Sequence, residues 1–135
     1  MKKIFLIIII SIFLVGCEQK SKNNNTIYLE ETYTSCISPD VGQYVRNTVF
    51  DDTNCESVIS FMTRIVNATD KTVVKMVWFH NDINILEKTT TEDLSVNQYP
   101  TSSLVEPTEG FLKGKYTIKI YIDDVYNKSY EFNMN

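Results

Sequence analysis

Residues 116–122 constrain the fold of this chain more than any other stretch, because large aromatic or aliphatic side chains occupy every second position there. Successive side chains of a β-strand point to opposite faces, so a period of two predicts a strand with one buried face. The buried face would carry Tyr116, Ile118, Ile120 and Ile122. The other face would carry Thr117, Lys119 and Tyr121.

A second strand is expected to pair with this one as a hairpin. Asp123-Asp124 provides a two-residue turn, and the chain then returns over Val125 to Met134. The returning strand has three apolar side chains on one face, which are Tyr130, Phe132 and Met134. We therefore predict that the C-terminal hairpin is a core element of the fold.

Several other segments have strand patterns. Ser57 to Asn67 has one apolar-rich face, and Thr72 to His80 is apolar on both faces, as expected for a central strand. The face of the first segment carries Ile59, Phe61, Thr63 and Ile65. Weaker candidates are Thr26–Cys36, Tyr44–Phe50 and Leu94–Val105. Pro100 suggests that the last of these is an edge strand or contains a break. Ile83–Thr91 is expected to lead away from the preceding strand. Short strands separated by turns at about 8–12-residue intervals predict an all-β sandwich.

The N-terminal residues have the pattern of a secretion signal. Lys2 and Lys3 precede an apolar run from Ile4 to Val15 that is interrupted by Ser11 alone. This run is shorter than the roughly 20 residues that cross a bilayer, and it fits the apolar region of a signal peptide. Residues 1–16 are therefore treated as a signal peptide and excluded from the fold.

The signal ends in Leu14-Val15-Gly16-Cys17, which resembles the lipobox, the motif cleaved by the bacterial lipoprotein signal peptidase. The resemblance implies that Cys17 becomes the first mature residue and carries a diacylglycerol on its thiol, often with a further acyl chain on its amine. One acyl chain binds membranes only marginally, so stable anchoring needs a second signal. The alternative is an ordinary signal peptide or an anchor helix with an unrelated cysteine.

The predicted cleavage leaves a short tether and one folded domain. Residues 17–25 are mostly polar and are expected to form a flexible tether, and residues 26–135 form the domain. Loss of Lys2 and Lys3 with the signal changes the formal net charge from −4 to −6. An acidic surface argues against nucleic acid and against direct adhesion to anionic lipid head groups.

Two cysteines remain once Cys17 is assigned to lipid. Cys36 and Cys55 are expected to form a disulfide, because an even pair outside the cytosol favours one. A bridge between residues 19 positions apart stabilises a fold by roughly 3 kcal/mol in chain-entropy estimates. The alternative is two separate buried thiols. A metal site is disfavoured, because His80 is the only histidine and the cysteines have no short spacing.

The mature chain also resembles an immunoglobulin-like module found in many small bacterial lipoproteins. The resemblance runs from Tyr33 to the C-terminus and rests on four features, which are Cys36, Val77-Trp78, Gly114-Lys115-Tyr116 and a terminal strand ending on Phe132. Phe111-Leu112 stands where such modules often have Trp-Pro, and Cys55 is an additional cysteine. The resemblance implies an immunoglobulin-like antiparallel β-sandwich of about seven strands and no particular activity.

Catalytic motifs are not apparent in the sequence. There is no Gly-x-Ser-x-Gly, and His80 is interpreted as the end of an apolar strand. Adjacent acidic residues occur four times, but neighbours on a strand point to opposite faces and do not converge. The four pairs are interpreted as solvated turns and edges: Glu30-Glu31, Asp51-Asp52, Glu92-Asp93 and Asp123-Asp124.

Exposed tyrosines are the remaining candidates for a binding surface. Tyr121 and Tyr126 are expected near the last hairpin, with Tyr99 and Tyr44 on loops or edges. Tyrosine is enriched at interfaces because its ring is amphipathic. Simple cross-strand pairing of Tyr121 with Tyr126 is the alternative interpretation.

These observations predict a non-enzymatic, membrane-anchored lipoprotein of the bacterial cell envelope. It would bind an envelope protein or a glycan, or serve a structural role, and needs no cofactor. The alternatives are an exclusion or immunity lipoprotein that protects the host cell against phage, plasmid or toxin, and a carboxylate-dependent hydrolase. If the host is Gram-negative, we expect the outer membrane facing the periplasm, because Glu18 is not the Asp associated with inner-membrane retention.

Overall fold

The computed structural model describes residues 25–135, which form nine β-strands rather than about seven. The strands are β1 (Tyr28–Ile37), β2 (Tyr44–Arg46), β3 (Val49–Phe50), β4 (Glu56–Val66), β5 (Val74–His80), β6 (Ile83–Thr89), β7 (Thr101–Val105), β8 (Gly114–Ile122) and β9 (Val125–Met134). The predicted signal peptide, Cys17 and all of the predicted tether except Asn25 lie outside the described residues. Within residues 25–135, no helix is long and apolar enough to cross a bilayer.

The strands form two sheets packed face to face, which confirms the predicted β-sandwich. One sheet has four strands in the order β2-β1-β4-β7, and the other has five in the order β3-β9-β8-β5-β6. The run β9-β8-β5-β6 matches the G-F-C-C′ order of immunoglobulin variable-type domains. The pairing is antiparallel except between β3 and β9, which run parallel.

Two of the expectations from the sequence are corrected by the structure. Tyr44–Phe50 is not one strand, because Asn47 divides it into β2 and β3 in different sheets. The Asn47 side-chain oxygen accepts hydrogen bonds from the Thr48 and Val49 amides, at 2.8 and 3.2 Å, and so turns the chain. Ile83–Thr91 does not lead away, because its first seven residues pair with β5 as the edge strand β6.

The predicted C-terminal hairpin is confirmed. β8 and β9 pair antiparallel around Asp123-Asp124, and both turn residues have positive φ, at 49° and 64°. Two-residue hairpin turns of this kind require positive φ and match the twist of the flanking strands. The predicted period of two also holds in β8, where Tyr116, Ile118 and Ile120 are buried between the sheets.

Aromatic side chains dominate the core between the sheets. Trp78 of β5 makes edge-to-face contacts with Phe61 and Phe132, with ring centroids 6.5 and 5.9 Å apart. Its indole N–H donates a 2.9 Å hydrogen bond to the Ser102 hydroxyl of β7. The bond satisfies a donor that would be costly to bury alone, and it ties the two sheets together.

Tyr116 closes the loop before β8 in the manner of the tyrosine corner of immunoglobulin-like domains. Its hydroxyl donates a 2.7 Å hydrogen bond to the Leu112 carbonyl oxygen. Burial raises the pKa of this phenol above its usual value. Gly114 is required in the same corner, because its φ is 126° and a Cβ there would lie 3.1 Å from Oδ1 of Asn81.

The predicted disulfide between Cys36 and Cys55 is present, with the two Cα atoms 5.2 Å apart. Both half-cystines are buried, and they join the end of β1 to the turn that precedes β4. Asp51 organises that turn. Its carboxylate accepts hydrogen bonds from the Thr53 hydroxyl, at 2.5 Å, and from the Thr53 and Asn54 amides. The bridge therefore holds a tight polar turn against the four-stranded sheet.

Candidate binding groove on the four-stranded sheet

The outer face of the four-stranded sheet contains a groove of about 340 Å³. We call it the outer groove. Six of its eight lining residues carry a hydroxyl group, one is a guanidinium and one is a thioether. The lining residues are Tyr33, Ser35, Tyr44, Arg46, Ser60, Met62, Thr101 and Ser103.

The strand register places four of the polar lining residues in a row across all four strands. On β1, Ser35 lies opposite Arg46 of β2 and also opposite Ser60 of β4. Ser60 in turn lies opposite Ser103 of β7. Directly opposed side chains on one face of a sheet lie about 4.5–5.5 Å apart, so the four side chains form one continuous line. We call this line the polar row.

A neighbouring line of side chains forms one wall of the groove. Tyr33 lies opposite Met62, and Met62 lies opposite Thr101. The Tyr33 hydroxyl donates a hydrogen bond to the Met62 sulfur at 2.9 Å, which fixes the orientation of the ring. The guanidinium carbon of Arg46 lies 3.6 Å from the centre of that ring, the geometry of a cation–π contact.

The hydroxyl groups of the groove fall into two sets. Ser60 and Ser103 hydrogen bond to each other at 3.0 Å. The side chains of Ser35, Tyr44 and Thr101 make no hydrogen bond with any residue of the described chain 25–135. Ser35 is the most notable of these, because only 8% of the residue is exposed and it lines the groove. A hydroxyl without a protein partner can donate a hydrogen bond to a ligand and accept one from it.

The charge of the outer groove differs from that of the rest of the chain. The chain has a formal net charge of −4, whereas Arg46 is the only charged residue of the lining. Arg64 lies elsewhere on this face, and its guanidinium forms an ion pair with the Glu30 carboxylate, with 3.0 Å between nitrogen and oxygen. Arg46 takes part in none of the ion pairs among residues 25–135. Its guanidinium donors therefore remain open to a ligand.

The tyrosines singled out from the sequence lie in different places. Tyr44 lines the outer groove, whereas Tyr99 lies exposed in the loop before β7. Tyr121 and Tyr126 are cross-strand partners on the outer face of the other sheet, with ring centroids 5.9 Å apart. The ammonium nitrogen of Lys75 lies 5.2 Å from the centre of the Tyr121 ring and 3.3 Å from a carboxylate oxygen of Asp124.

Tyr121 and Tyr126 thus show the cross-strand pairing considered from the sequence. The Tyr126 hydroxyl is also hydrogen bonded within β9, to Ser129 at 3.0 Å. The prediction that this pair forms a binding surface stays a prediction. The Tyr126 hydroxyl thus has a partner on the same strand, whereas the Tyr121 hydroxyl makes no hydrogen bond with any of residues 25–135.

Several of the titratable residues considered for catalysis have partners within the fold. His80 ends β5 as predicted, and its Nε2 atom lies 2.9 Å from the Lys113 carbonyl oxygen. Asp123 accepts a hydrogen bond from the Val73 amide at 2.8 Å. The Ser95 hydroxyl and amide donate to Asp93 and lower the pKa of its carboxyl. Among the described residues, no three His, Cys, Asp or Glu side chains are grouped so that they could hold a metal ion.

The outer groove was not predicted, and its residues are far apart in the sequence. Arg46 and Ser35 become neighbours only through the β1–β2 register, which depends on the turn at 38–43. Inside that turn the Ser38 carbonyl oxygen accepts a 2.8 Å hydrogen bond from the Gly42 amide. The Ser38-Pro39-Asp40-Val41-Gly42 turn was recognised from the sequence, and pairing the flanking segments as a hairpin would have placed these two side chains together.

Comparison with known protein families and curated proteins found no match, so the function is inferred from the fold and the outer groove. No protein-family model matches this chain, and no curated protein has a significantly similar sequence.

Proposed function

We propose that this protein is a lipid-anchored, non-enzymatic binding module of the bacterial cell envelope, and that the outer groove is its binding surface. The observation that carries the proposal is the polar row from Arg46 to Ser103, with open donors at Arg46 and an unpartnered hydroxyl at Ser35. A ligand seated there would satisfy groups that the fold itself leaves unused.

The lipobox at Leu14–Cys17 supports the anchoring part of the proposal. Cys17 would be joined to the domain by a tether that ends at Asn25, which spans about 30 Å at most when extended. β1 begins beside the end of β4, at the end of the sandwich that also carries the turn at 123–124. The outer groove lies on the side of the sandwich rather than at this end, so it would stay accessible next to a membrane.

At the outer groove, binding is favoured over carboxylate-dependent catalysis, and several acidic side chains elsewhere have partners within the fold. Glu30 pairs with Arg64, Asp51 and Asp93 cap turns, and Asp124 pairs with Lys75. The outer groove itself has no carboxylate in its lining. A carboxylate-dependent hydrolase needs two such groups facing one substrate, and the groove supports binding instead.

Photo-crosslinking in living cells tests the proposal. Tyr44 lines the groove and Tyr126 lies on the opposite face, and they are well matched because 59% and 54% of the two side chains are exposed. Each is replaced in turn by the photoreactive amino acid p-benzoylphenylalanine in the full-length protein. We expect adducts from position 44 and none from position 126. Adducts from position 126 alone, or equally from both, would contradict the assignment of the binding surface.

A further inference from the structure

We infer that the ligand of the outer groove is an anionic glycan, whose carboxylate or phosphate binds Arg46 and whose hydroxyls bind the rest of the polar row. This inference rests on the proposed function and adds the chemical class of the ligand. Two properties of the groove support it: the isolated cation and the number of hydroxyls.

Arg46 has the geometry of an anion receptor. Its guanidinium stacks on the Tyr33 ring at 3.6 Å, so its orientation is fixed before a ligand arrives. A guanidinium presents a rigid, planar fork of N–H donors that matches the oxygens of a carboxylate or phosphate. With no carboxylate in the lining, the charge of Arg46 is not neutralised inside the groove. An anionic group is therefore the complement of this end of the polar row.

The other lining residues favour a sugar over a peptide. A hydroxyl group donates and accepts hydrogen bonds, as the hydroxyls of a sugar do, and six lining residues carry one. Peptides bind sheets mainly by adding a strand at an edge, or by placing apolar side chains in pockets. The two central strands under the groove, β1 and β4, are paired on both sides, and Met62 is the only aliphatic lining residue.

The order of the polar row also predicts the orientation of the ligand. Arg46 stands on β2 at one edge of the sheet, and Ser103 stands on β7 at the other. Four adjacent strands span three spacings of about 4.7–4.9 Å each, or about 14 Å. The acidic sugar would lie over β2 and β1, and the chain of the glycan would extend towards Ser60 and Ser103.

Equilibrium binding to the full-length protein in detergent tests this inference. The probes are a hexuronic acid oligosaccharide, a phosphate-bearing sugar oligomer, a neutral oligosaccharide of the same length, and inorganic phosphate alone. We expect one of the two acidic oligomers to bind, and which one it is distinguishes carboxylate from phosphate as the anion. The affinity should fall as salt is added, because an exposed charge contact is screened.

Arg46→Gln is the diagnostic variant and Lys119→Gln is its control. Lys119 lies on the outer face of the other sheet, above the Phe79 ring. Loss of a charge-assisted hydrogen bond predicts that Arg46→Gln weakens binding of the acidic oligomer about tenfold or more. Lys119→Gln should change the affinity less than about twofold, since it removes no contact with the groove. Arg46→Lys keeps the charge without the planar fork and should recover part of the affinity.

The outcomes separate this inference from the proposed function. Equal binding of the neutral oligosaccharide, unchanged in Arg46→Gln, would overturn the anionic class and leave groove binding intact. Binding of inorganic phosphate with no gain from the attached sugar would overturn the glycan. The glycan would also be overturned if none of the probes binds while position 44 still forms crosslinks in cells. Adducts at position 44 that contain only proteins would be the clearest form of this result. The absence of any adduct at position 44 would overturn the proposed function itself.

Discussion

The guanidinium of Arg46 lies over the ring of Tyr33, 3.6 Å from its centre, on the outer face of the four-stranded sheet. The two residues belong to paired strands whose register is set by the turn at 38–43. Because Tyr33 is itself held by its hydrogen bond to Met62, the stack fixes a positive charge at one end of the polar row. The proposed binding surface depends on this arrangement.

The stack makes a prediction about stability. Exposed cation–π contacts contribute about 0.5–1 kcal/mol. A double-mutant cycle with Tyr33→Leu and Arg46→Gln, measured by urea denaturation, should therefore give a coupling free energy of that size. As a control, pairing Tyr33→Leu with Lys119→Gln on the other sheet should give additive effects. Additive effects in the Tyr33–Arg46 cycle as well would mean that the guanidinium does not rest on the ring.

The alternation in β8 predicts that substitutions at two adjacent positions have very different effects on the free energy of unfolding. Ile120→Ala removes a fully buried side chain and should lower the free energy of unfolding by about 2–5 kcal/mol. Lys119→Ala removes a half-buried side chain whose ammonium lies 4.7 Å from the centre of the Phe79 ring, a contact typically worth about 0.5–1 kcal/mol. Chemical denaturation of both variants compares them directly. Similar losses would be incompatible with a strand that buries only one face.

The turn at Asp51 predicts a specific dependence of stability on pH. Hydrogen bonds from the Thr53 hydroxyl and amide lower the pKa of the Asp51 carboxyl. A lowered folded-state pKa stabilises the fold above the unfolded-state pKa of about 4, and the effect is lost as the pH falls through the folded-state pKa. Asp51→Asn should therefore be less stable than the parent at pH 7, with the difference shrinking below about pH 4. A difference that stays constant from neutral to acidic pH would contradict this role of the carboxylate.

The resemblance of Leu14–Cys17 to a lipobox predicts that Cys17 carries lipid. Cells grown with labelled palmitate should incorporate label into the parent protein and not into Cys17→Ser. The variant should also accumulate as uncleaved or mislocalised precursor, because its anchor cannot form. Cys36→Ser is the matched control. Cys36 is bonded to Cys55 and is not the predicted lipid site, so this variant should still incorporate the label. Label retained in Cys17→Ser would place the lipid elsewhere or argue against acylation.

The sequence predicted those parts of the fold that depend on local patterns. The period of two over 116–122, the Asp123-Asp124 turn and the apolar face of Ser57–Asn67 all correspond to features of the structure. The cysteine count predicted the bridge correctly. The division of Tyr44–Phe50 was missed, because it depends on one side chain, Asn47, bonding to the next two amides rather than on any pattern of hydrophobicity.

The outer groove could not be predicted by the same reasoning. Its residues come from four strands, and Ser35 gives no signal in the sequence, because a lone serine in a strand has no distinctive pattern. Its importance arises from burial at the centre of the face without a partner for its hydroxyl. Tyr44 was recognised as an exposed aromatic residue, but its association with Arg46 and Ser35 depends on the register of β1 with β2 and β4.

Hydroxyl-radical footprinting of unmodified protein tests most directly whether the outer groove is the surface that is occupied in cells. Oxidation of Tyr44, in the groove, is compared with oxidation of Tyr126, on the opposite face, both in intact envelopes and in the purified full-length protein. Because 59% and 54% of these two side chains are exposed, they should react to a similar extent in the purified protein. The account predicts that Tyr44 is protected in envelopes while Tyr126 is not. Protection of Tyr126 alone, or equal reactivity of Tyr44 in both samples, would contradict it.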